Sequence, residues 1–246
     1  MNTITVDSLS LSLNGLPVLK EISFAIEEGQ AVGLLGSNGS GKTTLIKAIF
    51  GLRRFQRGRI EILGKPLDSF RAWNQIGYVP QRASVSLHAT TVAEVVASGT
   101  LAHRPIGWIG SRERIRVMES LEIVDLANHA NEAYLHLSGG QQQRVLIARG
   151  IVNRPAVIIM DEPFAGVDLT NQVKIAESLR GFAGTMVVVL HETMALSEIL
   201  DRTLILREGR LIYDGPLTTD GHHGNHPTNP PERTHLLTGM EQTWSF

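Results

Sequence analysis

The chain has 246 residues, of which 42% are hydrophobic, and this is enough to bury the core of one large α/β domain, with or without an inserted subdomain. Its formal net charge is −1 and it has no long basic run, so nothing indicates a surface built to bind the phosphates of a nucleic acid. It contains no cysteine, which excludes disulfides, thiolate nucleophiles and cysteine-ligated metal sites.

No segment has the length or polarity of a membrane-spanning helix or a secretory signal. The longest apolar runs, such as Met186 to Leu190, are far shorter than the roughly 20 residues that a spanning helix needs. The start, Met1-Asn2-Thr3, lacks the charged and apolar regions of a signal peptide. We therefore expect a cytoplasmic protein that reaches a membrane only through a partner.

Two kinds of strand are predicted. Apolar and polar residues alternate over Ile4 to Leu13 and again over Ile22 to Ile26, as in half-buried antiparallel strands. Three later segments, 31–35, 156–160 and 186–190, are short and almost wholly apolar, which is typical of parallel strands covered on both faces. The sequence therefore predicts an α/β fold with a mostly parallel core sheet and an antiparallel β edge.

The rest of the chain is helical, hairpin-like or low in structural signal. Helices are predicted over Thr91 to Ser98 and Ser111 to Leu126, inside a helical insertion that spans about 82–136. Glu208-Gly209, between two apolar runs, predicts a hairpin. Residues 217–246 are rich in Pro, Gly, Asn and His, so we expect a poorly ordered tail after a domain that spans 1–216. Four tail histidines, at positions 222, 223, 226 and 235, leave open either a zinc-sensing role or none.

A glycine-rich loop follows the apolar strand 31–35 and precedes a helical run. Its backbone N–H groups, together with the helix start, form an anion site suited to phosphates. Lys42 is expected to bridge the β- and γ-phosphates of ATP, and the hydroxyl of Thr43 is a suitable Mg²⁺ ligand. A glycine-rich turn without a ligand is the alternative. The predicted nucleotide-binding residues here are Gly36, Ser37, Asn38, Gly39, Ser40, Gly41, Lys42, Thr43 and Thr44.

Two adjacent carboxylates, Asp161 and Glu162, end the apolar strand at 156–160. Ligands of parallel sheets bind at this carboxyl edge. We expect Asp161 to hold Mg²⁺ through water, and Glu162 to orient and deprotonate the attacking water. The alternative is a solvated strand end.

Two further polar residues are candidates because they also follow strand-like segments. Gln81 comes after Ile76 to Pro80, where its amide can contact the metal or the attacking water. His191 comes after Met186 to Leu190, where a ring nitrogen can donate a hydrogen bond to the γ-phosphate. Taken singly, both are ordinary surface residues, and their spacing from the other motifs makes them candidates.

A second anion site is predicted at Leu137-Ser138-Gly139-Gly140-Gln141. From average residue usage, this five-residue string has odds of about one in a million at any given position. Ser138 can cap the following helix, which leaves the N–H groups of Gly139 and Gly140 open to an anion. A capped helix without a ligand is the alternative.

The order of these motifs resembles that of the nucleotide-binding subunits of ABC transporters. The resemblance covers roughly residues 3 to 216 and includes the phosphate loop, Gln81, Ser138–Gln141, Asp161-Glu162, Ala165–Asp168 and His191. It implies a P-loop NTPase core that binds and hydrolyses ATP with Mg²⁺. It also implies a head-to-tail homodimer, in which each ATP lies between the phosphate loop of one subunit and the Ser138–Gln141 helix start of the other, with Asp168 contacting the partner.

The resemblance implies further partners and a location. The subunit would sit at the cytoplasmic face of the cell membrane as a peripheral protein, docked on an integral-membrane permease. A periplasmic or extracellular substrate-binding protein would cooperate with it indirectly. Nucleic acid is not an expected partner.

The transported substrate is inferred only from the branch of the family. The strings Tyr78–Arg82 and Asp161–Asp168 are most similar to ATPases of bacterial zinc and manganese importers. Haem, cobalamin or an iron-siderophore complex stays open as the cargo, and so does a soluble ABC-type ATPase that acts on cytosolic assemblies. A scaffold that binds ATP without hydrolysis is disfavoured because Glu162 is present.

One position departs from the family pattern. Leu13 stands where the family usually places an aromatic residue that stacks on adenine. Leucine offers apolar contact but no π face, so we expect weaker base discrimination and easier acceptance of GTP.

Overall fold

The computed structural model describes residues 1–81, 90–103, 110–190, 196 and 198–216. Within these ranges the chain forms ten β-strands and five α-helices, arranged around two sheets. His191 and the tail 217–246 lie outside the described residues, as do positions 105–109 of the segment between the two predicted helices.

The first sheet is antiparallel and has the strand order β2-β1-β4-β5. Its strands are β1 (Asn2–Leu13), β2 (Leu16–Glu27), β4 (Arg57–Ile62) and β5 (Lys65–Pro66). The turn at Asn14 and Gly15, both at positive φ, pairs Leu13 directly with Leu16, so β2 begins six residues before the predicted Ile22. The sequence does not predict β4, because two arginines at its exposed end mask the alternation of apolar and polar residues.

The second sheet is parallel except at one edge and has the order β10-β9-β3-β8-β7-β6. Its strands are β3 (Ala31–Leu35), β6 (Ile76–Val79), β7 (Val157–Asp161), β8 (Thr185–Leu190), β9 (Arg202–Arg207) and β10 (Arg210–Gly215). The predicted α/β class with a mostly parallel sheet and an antiparallel β edge is confirmed. The Glu208-Gly209 hairpin is confirmed too, since both residues have positive φ between β9 and β10.

The helices follow the strands of the parallel sheet or fill the segment between β6 and β7. The α-helices are α1 (Lys42–Ile49), α2 (Val92–Ala97), α3 (Ser111–Ile123), α4 (Gly139–Ile151) and α5 (Leu169–Arg180). Short 3-10 helices cover Leu67–Ser69, Trp73–Gln75, Ser98–His103, Ala127–His129 and Tyr134–His136. α2 and α3 lie where the sequence predicts helices, whereas the limits of the insertion at 82 and 136 stay a prediction.

The parallel sheet is buried on both faces, and this explains why its strands are almost wholly apolar. Successive side chains of a strand point to opposite faces. In β7, Ile158 and Met160 pack with α2 to α5, while Val157 and Ile159 pack with α1 and the antiparallel sheet. The carboxyl ends of β3, β6, β7 and β8 therefore meet at one edge, which carries the candidate functional residues.

Candidate functional site

The phosphate loop runs from the end of β3 to the start of α1 and accepts only glycine at two positions. Gly36 has a φ of 152°, and a Cβ there would lie 2.3 Å from the carbonyl oxygen of Leu206. Gly41, the N-cap of α1, has a φ of 109°, and a Cβ would lie 2.8 Å from Cδ2 of Leu19. An added side chain at either position is therefore strained and blocked.

The β9–β10 hairpin holds this loop against the antiparallel sheet. The backbone N–H of Gly209 donates to the carbonyl oxygen of Ser40 at 3.1 Å, and the N–H of Lys20 donates to the carbonyl oxygen of Gly209 at 2.8 Å. Because the loop, the hairpin and β2 are joined by backbone hydrogen bonds, the loop conformation is set by three separate parts of the chain.

The ammonium of Lys42 lies across the mouth of the loop. Its Nζ donates to the carbonyl oxygens of Gly36 at 2.7 Å and Ser37 at 3.2 Å. Burial lowers the pKa of Lys42, and the negative charges of Glu162 and Asp161 oppose that shift. An ammonium has three donors, so it can exchange backbone carbonyl oxygens for phosphate oxygens without leaving the loop.

Two hydroxyls complete this part of the site. Ser40 is buried, and its Oγ has no hydrogen-bond partner within the ranges that the structure describes. Thr43 lies in the first turn of α1 with its side chain exposed. A buried hydroxyl without a partner is costly, and a bound phosphate oxygen at this loop would satisfy it.

The two carboxylates that follow one another in sequence occupy different environments. Asp161 is the last residue of β7 and only 7% exposed. Burial raises its pKa and the charge of Glu162 raises it further, while Lys47 and Lys42 oppose the shift. Glu162 leaves the strand with a φ of 49°, and its N–H donates to the carbonyl oxygen of Val189 at 3.1 Å. This turn separates two carboxylates that the sequence places side by side.

Gln81 joins this group from the neighbouring strand. β6 and β7 pair in parallel, with Val79 opposite Met160, and Gln81 is the second residue after the end of β6. Its Nε2 donates a hydrogen bond to Oε2 of Glu162. The structure thus brings Lys42, Asp161, Glu162 and Gln81 together at one edge of the parallel sheet.

The segment at 138–141 starts a well-capped helix. Ser138 Oγ accepts a hydrogen bond from the N–H of Gln141 at 3.3 Å, and Oε1 of Gln141 accepts one from the N–H of Ser138 at 2.9 Å. This reciprocal pair is a capping box. Ser138 and Gly139 are exposed and Gly140 is buried, so the helix start is open on one side.

Gln81 and Gly139 line a shared cavity of about 360 Å³, whose wall also includes Tyr134, Gln142 and Gly166. No phosphate-loop residue lines this cavity. Its wall also includes Val167, which directly precedes Asp168, the N-cap of α5.

Sequence reasoning missed two residues near these sites. Asn171 hydrogen-bonds to Asp168, a partnership that the spacing of three residues from an N-cap would have indicated. Leu16 lies opposite Leu13 in the β1–β2 hairpin and is 70% exposed. The Asn14-Gly15 turn between two apolar residues was the available signal.

No helix within the described ranges is long and apolar enough to cross a membrane. A glycine-rich loop at the start of α1, a buried strand that ends in two carboxylates and the capped start of α4 together are typical of a nucleotide-hydrolysing protein.

The family model described as ABC transporter matches residues 19–165, which is more than half of the chain. The chain therefore belongs to the ABC transporter family, and it is one of the ATPases of that family. The resemblance drawn from the sequence motifs is confirmed.

The relatives that the chain matches are of similar length. It is 37% identical over 223 residues to the zinc transport system ATP-binding protein TroB of Treponema pallidum, which covers 88% of this chain and 82% of TroB. It is 36% identical over 221 residues to the manganese transport system ATP-binding protein MntB of Halalkalibacterium halodurans, which covers 87% and 86%. Among solved structures, CbiO1 of Clostridium perfringens, part of the ABC transporter complex CbiONQ, superposes with a TM-score of 0.78 at 29% identity and covers 87% and 88%.

Proposed function

We propose that this protein is the ATP-hydrolysing subunit of an importer for a transition metal, zinc or manganese, and that it drives a separate membrane permease. The observation that carries the ATPase part is the convergence of Lys42, Asp161, Glu162 and Gln81 at one edge of the parallel sheet. The metal is inferred from the names of TroB and MntB.

The phosphates of ATP fit the loop between β3 and α1. Gly36 and Gly41 keep the loop free of side chains, and Ser40 offers an unsatisfied hydroxyl. Lys42 neutralises phosphate charge as a buried ammonium beside two carboxylates. The remaining loop residues, Ser37, Asn38, Gly39, Thr43 and Thr44, would contribute backbone or hydroxyl donors.

Thr43, Asp161 and Gln81 are the residues that would hold Mg²⁺, since a hydroxyl, a carboxylate and an amide oxygen are its usual protein ligands. When bound, Mg²⁺ neutralises the charge that develops on the phosphate oxygens. The buried carboxylate of Asp161 fits this role, because burial and the negative charge of Glu162 raise its pKa, and a bound cation would oppose both effects.

The hydrolytic step needs one residue that accepts a proton from the attacking water. Glu162 would do this, and the hydrogen bond from Gln81 would hold its carboxylate in one orientation. His191 is proposed to donate a hydrogen bond to the γ-phosphate from a ring nitrogen. Phosphoryl transfer depends mainly on such positioning and on charge stabilisation.

Two copies of the chain would be needed for a complete site. One subunit already provides a phosphate loop, so the exposed helix start at Ser138-Gly139 finds a use only across an interface. In the proposed head-to-tail homodimer it caps the triphosphate held by the partner, and Asp168 contacts the partner as well. Closure of the dimer on ATP and its reopening after hydrolysis would then drive conformational change in the permease. The subunit would lie at the cytoplasmic face of the membrane, and a substrate-binding protein would supply the metal.

Elemental analysis of cells tests both the role and the metal. Cells that carry Glu162→Gln should lose zinc or manganese relative to cells with the natural chain, while other metals stay unchanged. Loss of iron or cobalt instead would favour the haem, siderophore or cobalamin alternatives. If detergent extraction gives only soluble partners, the alternative of an ATPase that acts on cytosolic assemblies is favoured.

A further inference from the structure

Asp168 and Asn171 form a double hydrogen bond at the start of α5. Oδ1 of Asp168 accepts from the backbone N–H of Asn171 at 3.0 Å, and Oδ2 accepts from Nδ2 of the same residue at 2.7 Å. Both carboxylate oxygens are thus held by one residue, although Asp168 itself is exposed. The hydrogen bonds from Asn171 also lower the pKa of Asp168, the side-chain bond contributing most.

The Asn171 side chain also packs against the start of α4. A Cβ built on Gly140 would lie 2.7 Å from Cγ, 2.8 Å from Cβ and 2.9 Å from Nδ2 of Asn171. These three atoms are the nearest that such a Cβ would meet, so the Asn171 side chain packs directly against the buried Gly140. One side chain therefore contacts both the second anion-binding helix start and the N-cap of α5.

We propose that Asn171 is a positioning residue that locks the Ser138–Gln141 helix start to Asp168, so that both face the partner subunit as one rigid surface. The proposal rests on the head-to-tail dimer described above. It assigns no chemistry to Asn171, which acts only through the residues on either side of it.

The asparagine side chain suits this role for two reasons. Its amide supplies a donor to the exposed carboxylate of Asp168, and a hydrogen bond to an ionised group is stronger than one between neutral groups. Its Cβ and Cγ fill the space that the missing side chain of Gly140 leaves. Leucine has the same branching at Cγ without the donor, although it is larger, and aspartate has the same shape but repels Asp168.

ATP-driven dimerisation of the full-length chain tests the proposal. In a Glu162→Gln background, which prevents turnover, Asn171→Leu and Asn171→Asp should each raise the ATP concentration needed for half-maximal dimer by about tenfold, the factor expected when one charge-assisted hydrogen bond is lost. ATP binding to the dilute monomer should stay unchanged, because the phosphate loop is untouched. Lys174→Ala, an exposed change on the same helix, is the matched control.

The outcomes separate the two proposals. If the Glu162→Gln chain itself binds no ATP or stays monomeric with its permease present, the proposed function fails. If that chain dimerises and the Asn171 variants dimerise at the same ATP concentration, the role of Asn171 is overturned. A melting temperature within a few degrees of the parent chain shows that each variant is folded.

A second experiment uses the close approach of Gly140 and Asn171. Gly140→Ala should weaken dimerisation because the new methyl group clashes with Asn171, and adding Asn171→Gly should recover part of that loss. In a double-mutant cycle, contacting residues give such non-additive effects. Strictly additive losses would show that the contact does not couple the two helix starts.

Discussion

Gln81 donates a hydrogen bond from its side-chain amide to the carboxylate of Glu162, although 81 positions separate the two residues. The bond exists because β6 and β7 are parallel neighbours that end at the same sheet edge. The hydrogen bond therefore joins the ends of two neighbouring strands at the edge that carries the candidate site.

Replacing Glu162 by Gln should abolish turnover while ATP binding is kept. The amide retains the shape of the side chain but cannot accept the proton of the attacking water, and loss of a general base costs about 100- to 10,000-fold. Phosphate release measures the rate, and a fluorescent ATP analogue measures binding. A variant that keeps a third of the natural rate would contradict the role of Glu162.

Replacing Gln81 by Ala should lower turnover less than the change at Glu162. Glu162 can still accept the proton of the attacking water in this variant, but it loses the hydrogen bond from Gln81, so we expect a reduction of about tenfold at saturating ATP and little change in affinity. Gln81→Glu should be more harmful, since it places a second carboxylate beside Glu162. Steady-state kcat and KM for the two variants check this, and equal rates for both would argue against an orienting hydrogen bond.

Replacing Gly41 by Ala should abolish nucleotide binding. The new methyl group would lie 2.8 Å from Leu19 at a φ of 109°, so the loop has to leave its phosphate-binding shape. Gly181→Ala is the matched control, because a Cβ there meets nothing within 4 Å and φ is −86°. Equal affinities of the two variants for ATP, measured by titration calorimetry, would show that the loop tolerates a side chain.

Replacing Asp161 by Asn should raise the melting temperature of the nucleotide-free protein at pH 8. Burial raises the pKa of Asp161, so the ionised carboxyl opposes folding, and this cost is fully present above the raised pKa. The gain in stability from the substitution should shrink as the pH falls through the raised pKa, and it should vanish below the ordinary pKa of about 3.9, where the carboxyl is protonated in both folded and unfolded states. Thermal melts at several pH values measure it, and a loss of stability at pH 8 would contradict it. The variant should also lose Mg²⁺-dependent turnover.

Replacing Leu13 by Tyr should increase the preference for ATP over GTP. Leu13 packs partly against the core of the antiparallel sheet, and the exposed Leu16 lies opposite it, so this end of the hairpin offers only aliphatic contacts to a base. An aromatic ring adds stacking, which is worth about 1–3 kcal/mol per base in proteins that bind single-stranded nucleic acids. The ratio of kcat/KM for the two nucleotides measures the effect. Comparable ratios for Leu13→Tyr and the natural protein would count against weak base discrimination.

The local parts of the site could be read from the sequence because short-range forces form them. The loop from Gly36 to Thr43, the capping box at Ser138 and the Glu208-Gly209 turn each depend on residues a few positions apart, through allowed φ values and nearby hydrogen bonds. The family also followed from these motifs, since their order along the chain is itself visible in the sequence.

The contacts between these parts were decided by the tertiary structure. The strand order β10-β9-β3-β8-β7-β6 does not follow the chain, and it alone brings Gln81 to Glu162 and the hairpin at Gly209 to the loop at Ser40. Asn171 contacts Gly140 because α5 packs against α4, and this packing cannot be predicted from any short stretch of the sequence. Local sequence determines which backbone conformations are allowed. Burial of both faces of one sheet determines which segments of the chain come into contact.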